Sequence, residues 1–189
     1  PGWMRDSGQG WVTAEYALLP GSSRARIRRD HIHKGRAQEI SRFIGRVLRA
    51  VTDRDAMGEC LVTVDCDVLQ ADGGTRTAAV TGGYIALYDA FAASVVRGLL
   101  GAVPLHTTGT AISVGICGGA PALDLCYAED SAASVDLNVA MDGKGGIIEV
   151  QGCAEGAPFA RTELDAMLDL AAAGNAALAR LQREALGLD

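Results

Sequence analysis

The spacing of apolar and polar residues along the chain changes period several times, and each change marks an element. Residues 10–20, GWVTAEYALLP, are rich in β-formers and stop at a proline, which predicts a strand. Ile40, Phe43, Ile44, Val47, Leu48 and Val51 then fall at i, i+3, i+4, i+7, i+8 and i+11. That spacing predicts an amphipathic helix from about residue 37 to 52, with Gln38, Glu39, Arg42, Arg46 and Arg49 on its wet side. In residues 60–70, CLVTVDCDVLQ, the alternation of Val62, Val64, Cys66 and Val68 predicts a second strand. Residues 76–100, RTAAVTGGYIALYDAFAASVVRGLL, read as a buried helix built of small residues. Gly82 and Gly83 each cost that helix about 1 kcal/mol of propensity, which is tolerable if another backbone packs closely there.

Four further strands are expected in TAISVGICGG, PALDLCYAED, VDLNVAMDGKGG and GIIEVQGCAEG, separated by Gly, Asp and Ala-Pro turns. A last helix is expected from Thr162, where TELD has capping-box character. It turns Leu164, Met167, Leu168, Ala171, Leu178 and Leu181 towards the core. The order is strand, helix, strand, helix, four-strand meander, helix. A meander favours antiparallel pairing, so the fold class is α+β rather than a doubly wound sheet. No internal repeat or composition break divides the chain, and residues 1–189 read as one domain.

Composition narrows the function classes. With 49% hydrophobic and 21% charged residues, the chain is globular rather than disordered. No apolar run reaches the roughly 18 residues of a membrane span, and the opening residues lack the order of a signal peptide; no membrane partner is expected. The five cysteines (Cys60, Cys66, Cys117, Cys126 and Cys153) are odd in number and form no Cys-x-x-Cys pair. Lying in apolar segments, they are expected to be buried free thiols in a reducing cytoplasm.

The net charge of −6 argues against an indiscriminate nucleic-acid binder. The distribution says something different: Arg24, Arg26, Arg28, Arg29, Lys34 and Arg36 hold six of the seventeen Lys and Arg residues, with Asp30 the only acid among them. This basic stretch is either a solvated loop or a site for a polyanion.

The candidate chemistry centres on residues 70–83, QADGGTRTAAVTGG, where a strand gives way to a helix. Two glycines there let the chain turn sharply and expose the unpaired, partly positive amides of the helix start. The Thr75 hydroxyl and the Arg76 guanidinium complete a cradle for a tetrahedral oxyanion. The alternative is a plain turn with Arg76 in a surface ion pair. Neither G-x-x-x-x-G-K-[ST] nor G-x-G-x-x-G occurs, so no P-loop or dinucleotide fold is indicated.

A second constellation, AEDSAASVDLNVAM (128–141), contains Glu129, Asp130 and Asp136. Six residues of extended strand span roughly 20 Å. Asp130 and Asp136 therefore converge only if the chain folds back through SAAS, which its small residues permit. Two convergent carboxylates suit magnesium, with waters and substrate phosphates completing the shell; surface acids flanking a turn are the alternative. Asp124 joins the group by spacing. Arg36 stands either in the basic loop or at the N-terminus of the first helix as a second phosphate ligand. His31 and His33 have metal-ligand spacing without a supporting carboxylate or cysteine.

Taken together, GQGWVTAEYALLP, GRAQEISRFIGRVLRA, DCDVLQADGGTRTAAVTGGYIAL, AISVGI, YAEDSAASVDLNVAM and IIEVQGCAEGAPF resemble the ribonuclease PH family over nearly the whole chain. QADGGTRTA and EDSxAxxDxNV are the most specific of these motifs. The resemblance implies an α+β fold of the ribosomal protein S5 domain 2-like type, with mixed β-sheets packed with helices. It also implies first strands of the sheet lying before Pro1. The activity it implies is a phosphorolytic 3′→5′ exoribonuclease that trims transfer-RNA precursors and other RNA 3′ ends, reversible as a nucleotidyltransferase.

Carried over by motif, the phosphate ligands are Gly74, Thr75, Arg76 and Arg36. Asp130 and Asp136 are the catalytic acids and ligands of Mg2+ or Mn2+, and inorganic phosphate is the co-substrate. Arg24, Arg26, Arg28 and Arg29 lie in the region that contacts RNA, by charge character rather than residue by residue. The implied assembly is a homo-hexamer, a trimer of dimers. The alternative is a non-catalytic RNA-binding ring subunit of an exosome-like assembly, which has no chemical need for Arg36, Thr75, Arg76, Asp130 and Asp136 together.

Overall fold

The computed structural model describes residues 2–28 and 35–188. The first half is a two-stranded parallel sheet, β1 (Trp11–Leu18) and β2 (Leu61–Val68), paired in register from Trp11 opposite Leu61 to Leu18 opposite Val68. The crossover between them is helix α1 (Gly35–Ala50) followed by one turn, α2 (Arg54–Met57), which the apolar spacing did not announce. Ile40, Phe43, Ile44, Val47, Leu48 and Val51 are each at most 1% exposed, so the helical spacing marks the buried face of α1 and of the residue that follows it. Each such burial contributes about 1.5–3 kcal/mol of transfer free energy.

Helix α3 (Thr75–Val96) leaves β2 through the two glycines and packs Val80, Tyr84, Leu87 and Phe91 into the same core. Gly83 lies against Val64, where an added Cβ would meet Cγ1 at 3.4 Å, whereas Gly82 meets nothing within 4 Å. Only one of the two glycines therefore serves a close approach. The long, apolar α3 has a mean hydropathy of 1.4 over its best 18-residue window, enough by length and composition alone to cross a membrane. Arg76 and Asp89 interrupt this helix, so it holds no continuous apolar run of about 18 residues.

The second half is a four-stranded antiparallel sheet in the order β4-β3-β5-β6, formed by β3 (Gly109–Cys117), β4 (Ala120–Leu123), β5 (Val135–Asp142) and β6 (Ile147–Ala154). The expected meander is corrected at one place: β3 pairs with both β4 and β5, so β4 is an edge strand. The fourth expected strand segment, PALDLCYAED, splits into β4 and a one-turn helix, α4 (Tyr127–Asp130). Asp124, with a φ of 57°, supplies the left-handed residue just after β4.

Helix α5 (Arg161–Leu186) covers one face of this sheet and buries Met167 and Ala171 against Ile112, Val114, Leu137 and Val139. Its cap differs in detail from the expectation. Ala160 is the N-cap, and the Glu163 carboxylate accepts from the Ala160 N–H at 2.6 Å. Leu181 is 50% exposed, while Asn175 and Gln182 are buried in its place. The reason is hydrogen bonding. The Gln182 amide donates to the carbonyls of Thr81 and Gly109 at 2.9 Å each, tying α5 to the middle of α3 and the start of β3. Asn175 donates to Val139 O and Ala171 O and accepts from the Thr110 hydroxyl at 2.7 Å.

All five cysteines are free, but none is buried: Cys60, Cys126 and Cys153 are exposed, and Cys66 and Cys117 are partly so. Cys66 packs only partly under α3, with its thiol near the Ala79 carbonyl, and Cys126 is the N-cap residue of α4, placements that local hydrophobicity does not reveal. Asn175→Ala should lower stability by about 1–3 kcal/mol, because Thr110 and the Val139 carbonyl lose a buried partner. A reduced urea midpoint with an unchanged slope is the expected readout.

Candidate active site

The site forms where the turn before α3 meets the segment before α4. Gly73 lies so close to that segment that an added Cβ would stand 1.9 Å from the Leu125 carbonyl oxygen and 2.8 Å from the Cys126 carbonyl carbon. Two polar bonds complete the seam. The Asp72 carboxylate accepts from the Tyr127 N–H at 2.8 Å, and the Ser113 hydroxyl accepts from the Leu125 N–H at 3.0 Å. Gly74 then takes a left-handed conformation, φ 66°, and serves as the N-cap of α3 without a side-chain cap. Its carbonyl accepts from the Ala78 N–H and the Thr77 hydroxyl, at 2.9 and 2.8 Å. Among the described residues, no hydrogen bond covers the amides of Thr75, Arg76 and Thr77. The first turn of α3 is thus an uncovered helix N-terminus that exposes partly positive amides.

Three side chains frame this opening. The Thr75 hydroxyl lies 2.7 Å from the Tyr16 hydroxyl, which fixes its rotation. Burial raises the Tyr16 pKa above its ordinary value, while the bond to Thr75 and the charges of Arg36 and Arg76 oppose the rise. Tyr16 therefore stays a neutral phenol able to donate. Arg76 is the second side chain; its Nη1 lies 3.3 Å from both Glu39 Oε1 and Gln151 Oε1. Arg36 is the third, in the first turn of α1 and exposed.

The carboxylates converge through the fold-back that the spacing requires. Asp130 ends α4, the Ala133 N–H returns to the Asp130 carbonyl at 3.3 Å, and Asp136 sits on β5 opposite Gly115 and Cys153. Burial first, and then the neighbouring Asp130 carboxylate, push the pKa of Asp136 above its ordinary value. Glu155 adds to the rise, while Arg76 and Arg36 oppose it. Asp130, Arg76 and Arg36 therefore all lie within electrostatic reach of Asp136. Gly115 is closely covered, since an added Cβ would stand 2.4 Å from the Val135 carbonyl oxygen and 2.8 Å from Leu125 Cδ1. Glu129 is not a free acid of the site, because its carboxylate accepts from the Cys126 N–H at 3.0 Å and caps α4. Among the described residues, no group of three or more His, Cys, Asp or Glu side chains is placed to hold a metal ion.

Arg24, Arg26 and Arg28 are exposed in the loop after β1. That loop is tied to the approach to the glycines: the Leu19 N–H donates to Val68 O and the Ala71 N–H to Ser22 O, at 3.1 and 2.6 Å. Arg29, His31 and His33 lie outside the described residues. Sequence reasoning missed Tyr16, Asp72, Ser113 and Gln151, and saw Glu39 only as a wet-side residue. Each is an ordinary strand, loop or helix residue until tertiary contact places it.

An uncovered helix N-terminus near two carboxylates and two arginines, on a mixed α+β fold, suits chemistry on phosphate groups. The comparisons make it specific. Residues 1–93 match domain 1 of the 3′ exoribonuclease family and residues 110–174 match its domain 2. The chain is 53% identical to Ribonuclease PH of Methylobacterium radiotolerans over 189 residues, covering 98% of this chain and 80% of that relative. Two solved structures share the fold. Rice (Oryza sativa) Rrp46 superposes with a TM-score of 0.71 at 15% identity, over 96% of this chain and 75% of that one. A chain of the Archaeoglobus fulgidus exosome with RNA bound to its active site superposes with a TM-score of 0.76 at 19% identity, over 95% and 72%. The chain belongs to the ribonuclease PH family of 3′ exoribonucleases. At that level its activity is phosphorolytic 3′→5′ exoribonuclease action, with inorganic phosphate as co-substrate.

Two substitutions test the geometry. Gly73→Ala places a Cβ 1.9 Å from the Leu125 oxygen, far inside van der Waals contact with a backbone atom that cannot rotate away. It should lower both the melting temperature and phosphate-dependent activity. Asp136→Asn should abolish most activity yet raise the melting temperature at pH 7. The sign follows from linkage: a carboxyl whose folded pKa is raised supports folding at low pH, and that support is lost as pH rises through the raised value. The amide removes this loss, so the gain should shrink as pH falls and vanish well below the ordinary Asp value of about 3.9, where Asp136 is protonated in both states.

Proposed function

We propose that this chain trims the 3′ ends of transfer-RNA precursors, removing one nucleotide at a time. The observation that carries the reading is the uncovered first turn of α3, with Thr75 and Arg76 beside it and Arg36 and Asp136 within electrostatic reach. Inorganic phosphate lies against the amides of Thr75, Arg76 and Thr77, oriented by the Thr75 hydroxyl and the guanidinium groups of Arg76 and Arg36. One of its oxygens attacks the terminal phosphorus in line. A new P–O bond forms as the bond to the 3′ oxygen of the preceding nucleotide breaks, releasing a nucleoside 5′-diphosphate. The leaving oxygen gains a proton and becomes the new 3′ hydroxyl. Positioning and opposite charge supply the acceleration, and no protein nucleophile is needed.

Asp130 and Asp136 are proposed to hold Mg2+ or Mn2+. A half-buried carboxylate with a second carboxylate beside it suits a divalent cation, and Mg2+ ordinarily takes only one or two protein carboxylates, keeping waters and phosphate oxygens. Bound there, the ion would offset charge on the scissile phosphate and the leaving oxygen. Arg24, Arg26, Arg28 and Arg29 are proposed to meet the RNA backbone. Run in reverse, the same site extends RNA from nucleoside diphosphates and releases phosphate. A homo-hexameric ring, a trimer of dimers, is the proposed assembly.

The test is incubation with a 3′-extended transfer RNA and Mg2+, with and without inorganic phosphate, followed by identification of the released nucleotides. Nucleoside diphosphates should appear only with phosphate, and Arg76→Ala should lower kcat/KM for phosphate by about 10²-fold. Monophosphates released regardless of phosphate would overturn the reading.

A further inference from the structure

Arg76 does not stand alone in the cradle. Its Nη1 lies 3.3 Å from Gln151 Oε1 on β6 and 3.3 Å from Glu39 Oε1 on α1. The orientation of Gln151 is decided behind it, because its Nε2 donates to Glu149 Oε1 at 2.7 Å. A carboxylate only accepts, so a flipped amide would set two oxygens against each other and turn its NH2 towards a cation. Glu149 is itself gripped by Arg46 of α1, whose Nε and Nη2 reach its two oxygens at 2.8 and 2.5 Å. A chain of polar contacts thus runs from Arg46 through Glu149 and Gln151 to Arg76.

The geometry of the guanidinium gives this chain a purpose. Both acceptors meet the same nitrogen, Nη1. Among the described residues, Nε and Nη2 of Arg76 have no partner, and together they form one edge of the planar fork, the edge that grips two oxygens of a phosphate. The register places Gln151 on the same sheet face as Asp136: Asp136 pairs with Cys153, Asn138 pairs with Gln151, and those positions are two apart on each strand.

We propose that Gln151 is a positioning residue for the phosphate step, holding Arg76 by Nη1 so that its Nε–Nη2 edge is presented to the anion. Glu149 and Arg46 set the direction in which Gln151 acts. The inference rests on the reading that Arg76 binds phosphate, and the experiment separates the two.

Phosphorolysis of a 3′-extended RNA is measured with phosphate varied at saturating RNA and with RNA varied at saturating phosphate. The proteins compared are the unsubstituted one, Gln151→Met, Arg76→Lys, the double variant and Arg46→Ala. Gln151→Met keeps the side-chain length and removes both polar groups, and its melting curve reports whether it folds. Its kcat/KM for phosphate should fall about tenfold while KM for RNA stays within twofold. Arg46→Ala should change kcat/KM for phosphate in the same direction and by less. In the Arg76→Lys background, Gln151→Met should change kcat/KM for phosphate by less than twofold, because the fork it orients is gone.

If Arg76→Lys leaves kcat/KM for phosphate unchanged, the parent reading of Arg76 fails. If Arg76→Lys lowers it and Gln151→Met does not, the positioning role fails alone. Equal effects of Gln151→Met in both backgrounds would also overturn that role, since Gln151 would then act independently of Arg76.

Discussion

The close passage of Gly73 over Leu125 and Cys126 is the contact on which the site depends. Two stretches of backbone meet where any side chain would stand 1.9 Å from a carbonyl oxygen. The contact brings the strand-to-helix turn of the first half against the turn that starts α4 in the second half. With it come the bond from the Tyr127 N–H to Asp72 and the bond from the Leu125 N–H to Ser113. Gly74 can then adopt its left-handed conformation and leave the first amides of α3 uncovered. Without this seam, the amides of α3 and the acids of α4 and β5 would belong to separate layers.

Charge is distributed around that seam in a way that costs stability. Asp136 is half-buried; burial and then Asp130 raise its pKa, and Arg76 and Arg36 offset only part of that rise. A fold optimised for stability alone would place a neutral residue there; a site for phosphate and RNA needs both signs of charge close together. The polar chain from Arg46 to Arg76 shows the same economy. It crosses from α1 to β6 to α3 and meets one guanidinium at Nη1, with no partner on its Nε–Nη2 edge among the described residues.

Much of this was legible residue by residue. The six apolar positions from Ile40 to Val51 name the buried face of the first helix because period 3.6 is a property of the backbone, not of its neighbours. The glycine pair before Thr75 signals an open helix start for the same local reason. Other features were not legible. PALDLCYAED carries strand-like residues, yet half of it turns into α4, because Glu129 caps the Cys126 amide and the Gly73 contact fixes where the chain turns. Leu181 looks like a core residue and Gln182 like a surface one. Their roles are exchanged, since only Gln182 satisfies the carbonyls of Thr81 and Gly109.

By itself, then, the sequence determined most of the elements, the α+β class and the candidate anion-binding and acidic residues. Each of those is encoded in short-range spacing and in the chemistry of single side chains. Tertiary structure alone decided that β3 would pair with both β4 and β5, that Asp130 and Asp136 would share a field with Arg36 and Arg76, and that Tyr16, Gln151 and Glu39 would join them. Those outcomes depend on contacts between residues tens of positions apart, as between Tyr16 and Thr75 or Arg76 and Gln151, and local periodicity carries no record of such distances.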